Sequence, residues 1–425
     1  MKSLFAIILM LASFNIAAEE DLVLKEISEQ YVKLVLAMGI HDPAYVDAYY
    51  GPKEWAEEAK EKKIPLKNII LASRFLIDNL EGAYAEDELI NLRLKYLDVQ
   101  LSALHSKAIM LKNEIRLDFD QESKVLYNTQ APTHELTDFD NTLAKLDKML
   151  PGSQPLSEKA NAFKAQFVIP KDKLKSVFDI AIAECRKRTQ AFVDLLPEEN
   201  FKLEFVSDKP WSGYNWYKGN SFSLIQVKTE LPIYISRAVD LGCHEGYPGH
   251  HTYNALLEAN LVKKRGWIEF SVYPLFSAQS VIAEGSANYG IEMAFPGNEK
   301  IEFEKQALFP VAGIDPELAE QFAAFTQLTA ELSYAGNEIA RRYLNKKIER
   351  QEAVELLQKY TLVSPEKASQ RVDFYDTYGA YVINYNWGKE LVKQWVESGK
   401  DQSTEGRWKR FSQLLSSPRL PSTLK

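Results

Sequence analysis

Three of the chain's six histidines fall in one short run, Gly242-Cys243-His244-Glu245-Gly246-Tyr247-Pro248-Gly249-His250-His251. A carboxylate next to one imidazole, with further imidazoles a turn or two on, is what a hydrolytic zinc site needs: neutral nitrogens to hold the ion and a base to take a proton from water. The spacing departs from the H-E-x-x-H helix motif, in which a separation of four sets both imidazoles on one face. On a regular helix His250 would point roughly 120° away from His244, and His251, facing the same way as His244, would sit about 10 Å further along the axis. Two nitrogens that share one zinc, each about 2.0–2.1 Å from it, must lie close together, so the backbone between them has to bulge or break. Pro248 and Gly249 are where it can: proline lacks the amide that would bond to the His244 carbonyl, and glycine accepts dihedrals closed to other residues. Spacing alone leaves His250 and His251 both open as the partner of His244, and a helix end carrying surface histidines is the bland alternative. The other His-Glu pair, His134-Glu135, has no second histidine nearby and is expected on a surface helix with no metal.

No histidine follows His251, so a third protein ligand is expected to be a carboxylate, as in sites of the two-His-one-Glu type. Residues 280–292 read as an apolar-periodic helix carrying Glu284 and Glu292. Glu284 stands between Ala283 and Gly285, in a stretch where an unpaired charge is costly to bury, which argues for a partner. Glu292 is expected to be solvated, with the orientation of a ligand as its minority role.

The segments His244-Glu-Gly-Tyr-Pro-Gly-His250 and Ala283-Glu-Gly-Ser-Ala-Asn-Tyr289 resemble a large bacterial family catalogued as a domain of unknown function, family 885, grouped with the glutamate-zincin metallopeptidases. Its signatures are an H-E-x-x-P-G-H segment and, some thirty residues on, E-G-W-A-x-Y; Ser286 stands here where the family has tryptophan. The resemblance implies that His244, His250 and Glu284 bind zinc and that Glu245 is the base. It favours His250 over His251, and it implies a reaction class without a substrate.

Hydrolysis also needs a donor for the oxyanion formed when water attacks a carbonyl, and no histidine is left for that work. Tyr375, Tyr378, Tyr381 and Tyr385 fall at helical spacing on one face with Arg371, and most of such a stripe is expected to be packing. The family resemblance points to Tyr385, in Tyr385-Asn-Trp-Gly388, as the donor; Arg371 is the second candidate, either as a donor or as an anchor for a substrate carboxylate.

The elements that must position these residues are mostly helical. Apolar periodicity predicts helices over 21–39, 67–80, 86–112, 137–149, 156–167 and 171–196, and strands over 202–206 and 221–228 separated by a turn-rich aromatic loop, 209–220. The expected architecture is mainly α: a two-lobed zincin-like helical fold with a small β-sheet beside the cleft, with lobes over 19–200 and 201–425. Residues 1–18 read as a signal peptide with a nine-residue apolar core, too short to span a membrane, so an exported, periplasmic location is expected. The leader ends without a cysteine for a lipid anchor. A net charge of −8 and the absence of basic clusters argue against nucleic acid. Cys185 and Cys243 can pair, although spacing does not require it, and Cys243 reads first as a small core residue. The leading function is a zinc peptidase acting on short or flexible peptides. The alternatives are a metal- or substrate-binding protein without turnover, and a zinc hydrolase of a non-peptide amide or ester. Oligomeric state is not legible.

Overall fold

In a computed structural model, the structure describes residues 2–209 and 211–424, with side chains described from Leu22 onward. The leader expected over 1–18 falls outside the residues with described side chains. The fold is mainly α-helical with two small sheets. The expected helical runs appear as Leu66–Leu80, Glu88–Asn113, Asp140–Met149, Leu156–Ala165 and Leu174–Gln190, and the run from 21 lies in Lys2–His41. Local chemistry sets their ends. The Asp87 carboxylate accepts from the Leu89 and Ile90 amides, and the chain leaves that helix at Glu114 in the left-handed region, φ 51°.

Strand β1 (Val46–Tyr49) pairs antiparallel with β5 (Val272–Pro274). The second sheet comprises β2 (Asn200–Val206), β3 (Gly213–Tyr217) and β4 (Phe222–Lys228), with β4 central, parallel to β2 and antiparallel to β3. One expectation needs correcting here. The segment read as an aromatic loop contains β3: Asn215 and Tyr217 are buried while Tyr214 and Trp216 stay half-buried, an alternation hidden by the flanking glycines. The strand feeding the histidine segment is therefore the middle of its sheet, and β3 takes the edge.

Several long-range contacts tie the early helices to the later ones. The buried Arg93 guanidinium donates to Glu269, Nε to Oε1 2.5 Å, and β1 reaches across the chain to β5. The Ala278–Ala294 helix is buried along most of its length and crosses the Ile383–Glu397 helix in backbone contact. The crossing depends on two glycines: a Cβ on Gly285 would lie 2.4 Å from the Gly388 carbonyl carbon, and one on Gly388 would lie 2.7 Å from the Val281 oxygen. Among the described residues, no helix is long and apolar enough to cross a membrane.

Candidate metal centre

The chain enters the histidine segment through the short helix Ser236–Leu241, widens into a π-turn over Gly242–Gly246, and breaks before the His250–Leu257 helix. A cis peptide joins Tyr247 to Pro248. The Gly249 amide folds back onto the Cys243 carbonyl at 2.9 Å, and a Cβ on Gly249 would lie 1.8 Å from the His244 oxygen. Glycine is required at 249 by this close approach. Cys243 is bonded to Cys185 of the Leu174–Gln190 helix, with Cα atoms 5.4 Å apart, so a disulfide anchors the residue before His244.

The break brings together imidazoles that a regular helix would hold apart. His244 Nε2 and His250 Nε2 are 3.2 Å from each other, and Glu284 Oε2 is 3.2 Å from the first and 3.6 Å from the second. Three ligands about 2.05 Å from one tetrahedral ion would be separated by roughly 3.3 Å, so this donor set fits zinc. Glu284 is 7% exposed, and its Oε2 is buried without a hydrogen bond of good geometry, while Oε1 accepts from the Tyr381 hydroxyl at 2.8 Å. A carboxylate oxygen buried in this way, facing two nitrogens, is a group waiting for a cation. The Asn288 amide nitrogen donates to the carbonyls of Glu284, 3.1 Å, and Tyr385, 3.2 Å, which turns its oxygen toward His244 Nδ1 at 3.2 Å. The proton thus sits on Nδ1, and the Nε2 lone pair faces the centre.

The electrostatics agree. Burial pushes His250 down, but the facing Glu284 carboxylate more than offsets it and holds the imidazole at about 9. Glu284 itself is pushed up by burial and pulled further down by the two histidines, to well below the usual carboxylate range. Both are the signs of a carboxylate and imidazoles packed closely enough to share a positive charge.

Glu245 is buried beside them; ligand atoms of His244, Glu245 and His250 all lie within 4.8 Å of one another. Its carboxylate rests on the Cα side of Gly213 at the start of β3, where a Cβ would come 3.1 Å from Oε1, and its carbonyl accepts from Asn215 at 2.7 Å. Of the two carboxylates, Glu284 is the one in ligand contact with both imidazoles. A third acid, Asp47 on β1, accepts a short hydrogen bond from the Tyr214 hydroxyl and feels the charges of His250, Glu284 and Glu245. Burial raises its carboxyl to about 6.

The remaining candidates separate. His251 is fully buried on the far side of the segment, with Nδ1 on Ser223 at 2.8 Å and Nε2 on Glu199 at 3.0 Å. Within the tyrosine stripe, Tyr375 bonds the Gly336 carbonyl, Tyr378 packs on Phe276 and Phe374, and Tyr381 touches Glu284. Tyr385 lies next to Tyr381, with ring centroids 5.8 Å apart and its side chain 38% exposed; burial of its hydroxyl first, then the charges of Glu284 and Glu245, raise it well above the usual tyrosine range. Arg371 is not brought to the metal residues; it lies beside Tyr375, Lys164 and Lys367. Glu292 is not brought to the metal residues; it is paired with Lys389 and, at 3.1 Å, with Lys393. His134 and Glu135 precede the 3-10 turn Leu136–Phe139 instead of lying on a helix, with Glu135 paired to Arg342. Ser286 is buried, and its hydroxyl donates to the Ala283 carbonyl at 3.2 Å. Tyr381, Asn288 and Asp47 had no claim from the sequence beyond the place of Tyr381 in the stripe.

The sequence matches no family model and no curated protein, so the family resemblance rests on its two motifs alone. Among solved structures, the chain is similar to a protein from Colwellia psychrerythraea described as a candidate lipoprotein, with a TM-score of 0.53 at 14% identity over 84% of this chain. This chain spans 65% of the length of that protein. A candidate lipoprotein of unknown function from Shewanella oneidensis aligns at a TM-score of 0.43 and 14% identity, covering 87% of this chain and 74% of that one. An M32 carboxypeptidase from Deinococcus radiodurans R1 aligns at 0.38 and 13% identity, covering 92% and 89%.

Proposed function

We propose that this chain is an exported zinc-dependent hydrolase, a metallopeptidase of short or flexible peptides working in the cleft between its two lobes. The observation that carries the reading is the convergence of His244 Nε2, His250 Nε2 and the partnerless Glu284 Oε2 within 3.6 Å, with the Glu245 carboxylate alongside. Zinc held by the first three would supply Lewis acidity to a carbonyl and bring water within the reach of a carboxylate base. Glu245 takes the proton from the attacking water and returns it to the leaving amine. Its backbone, fixed by Asn215, keeps the carboxylate against β3. Tyr385, partly exposed, donates a hydrogen bond from its hydroxyl to the developing oxyanion, and Tyr381 orients Glu284. A pure metal-binding protein has no use for a buried carboxylate next to its ligands, so Glu245 favours turnover. Export is supported by the leader-like residues 1–18 and by the lipoprotein description of the Colwellia protein.

The test is Glu245→Gln in the zinc-loaded protein, assayed on a peptide library read by mass spectrometry. The amide keeps shape but cannot accept the proton, so hydrolysis should fall by about 10²–10⁴ with metal content unchanged. Undiminished cleavage contradicts the assignment, and loss of metal makes Glu245 a ligand.

A further inference from the structure

Beyond the metal residues, three cations stand together without a counter-charge. Lys367 and Arg371 lie one turn apart on the Pro365–Tyr378 helix, and Lys164 of the Leu156–Ala165 helix faces Arg371. The Lys367 ammonium donates to Ser212 Oγ at 3.3 Å and Gln370 Oε1 at 2.7 Å, and Lys164 donates to the Leu362 carbonyl at 2.8 Å. Among the described residues, Arg371 has no hydrogen-bond acceptor, and no carboxylate pairs with any of the three. The two other cations that Lys367 feels are already matched, Lys228 with Glu230 at 2.8 Å and Arg237 with Asp240 at 3.9 Å. Burial and the neighbouring Arg371 bring both lysines down to about 8, and burial lowers Arg371. Folding gains nothing from gathering half-buried like charges, so their arrangement calls for an anion from outside the chain.

The cluster is linked to the candidate metal centre through the start of β3. Ser212, which accepts from Lys367, precedes Gly213, the residue that backs the Glu245 carboxylate. One turn beyond Arg371, about 5 Å along the same helix face, Phe374 packs against both Tyr381 and Tyr385, with ring centroids 6.3 Å apart in each case. An extended peptide advances about 3.3–3.6 Å per residue, so a substrate reaching from Glu245 past β3 toward the cluster would lie extended along this link.

We propose that Lys164, Lys367 and Arg371 form a subsite that takes a substrate carboxylate, with the Arg371 guanidinium supplying the bidentate contact. The subsite rests on the peptidase reading for its purpose and makes the enzyme selective for peptides ending, or acidic, a few residues past the scissile bond. Lys367 and Arg371 share the helix of Phe374, and Lys164 comes from the Leu156–Ala165 helix, so the carboxylate end of a bound peptide is held between these two elements.

Binding to zinc-loaded Glu245→Gln protein tests this without turnover. The probes are N-acetyl-tetra-alanine as free acid, the same peptide as C-terminal amide, and an amide whose last alanine is replaced by glutamate. The free acid should bind at least about tenfold more tightly than the plain amide, and Arg371→Met or Lys367→Met should abolish that preference. Arg371→Lys should restore part of it, which a merely structural arginine would not do. Recovery of affinity by the glutamate amide identifies a side-chain carboxylate as an accepted source; no recovery restricts the subsite to the chain terminus. Equal binding of free acid and both amides, or a preference unchanged in both methionine variants, overturns the proposal. If Arg371-dependent carboxylate binding persists while no peptide is ever cleaved by the wild type, the subsite stands and the peptidase reading fails.

Discussion

In the proposed mechanism Tyr381 and Tyr385 divide two jobs that one phenol cannot do at once. The Tyr381 hydroxyl is committed to Glu284 Oε1, so Tyr381→Phe should weaken zinc binding, by about 10–100-fold, as other losses of ligand-orienting partners do. Tyr385→Phe should leave metal affinity alone and lower turnover by about 10²–10³, with the Michaelis constant little changed. Zinc titration and steady-state kinetics on both variants separate the roles, and an exchange of the two effects would reverse them. The sequence could not rank these residues because Gly379, with φ 58°, ends the first helix and a 3-10 turn follows, shifting the phase of the stripe. Asp47 offers a pH-dependent readout. Its carboxyl is raised from 3.8 to about 6, first by burial, so the metal-free fold favours the protonated form. Stability from this group is fully present below about pH 4 and is lost as pH rises through about 6. Thermal melts of metal-free Asp47→Asn should be flatter than wild type across that window; parallel curves would show that Asp47 is solvated.

At the level of elements, the segment 236–257 shows what spacing can and cannot say. The six-residue separation required a break, and Pro248-Gly249 marked where; the π-turn, the cis peptide and the contact of Gly249 with the His244 oxygen are how the chain makes it. Cys243 read as a core residue because nothing in sequence shows that the Leu174–Gln190 helix lies against this turn. The disulfide closes a sequence separation of 58, which a chain-entropy estimate values at about 4 kcal/mol. A Cys185→Ser, Cys243→Ser double variant should show a lowered urea midpoint and a steeper slope, because the unfolded chain without its cross-link exposes more surface. An unaltered midpoint would mean that packing alone holds the turn. Strand β3 was missed for a related reason: Trp and Tyr alternate there over only five residues between glycines, and its value comes from pairing with β4.

For the whole molecule, the helical character was legible throughout because amphipathic periodicity repeats over long runs, whereas the long-range joins were not. Asp47 meets the site only because β1 pairs with β5, and Arg93 reaches Glu269 across 176 residues; neither partner carries a local signal of the other. Glu284 was expected from the shortage of histidines, and the glycine crossing at Gly285 and Gly388 is what sets its helix beneath the tyrosines. On the proposed reading, this assembly holds one metal ion between His244, His250 and Glu284. Elemental analysis of the purified protein after zinc loading and exhaustive dialysis tests it most directly, with Glu284→Gln and His250→Ala beside the wild type. Close to one zinc per wild-type chain and almost none in folded samples of either variant is the expected result; a wild type that retains no zinc, or variants that retain it in full, would contradict the account.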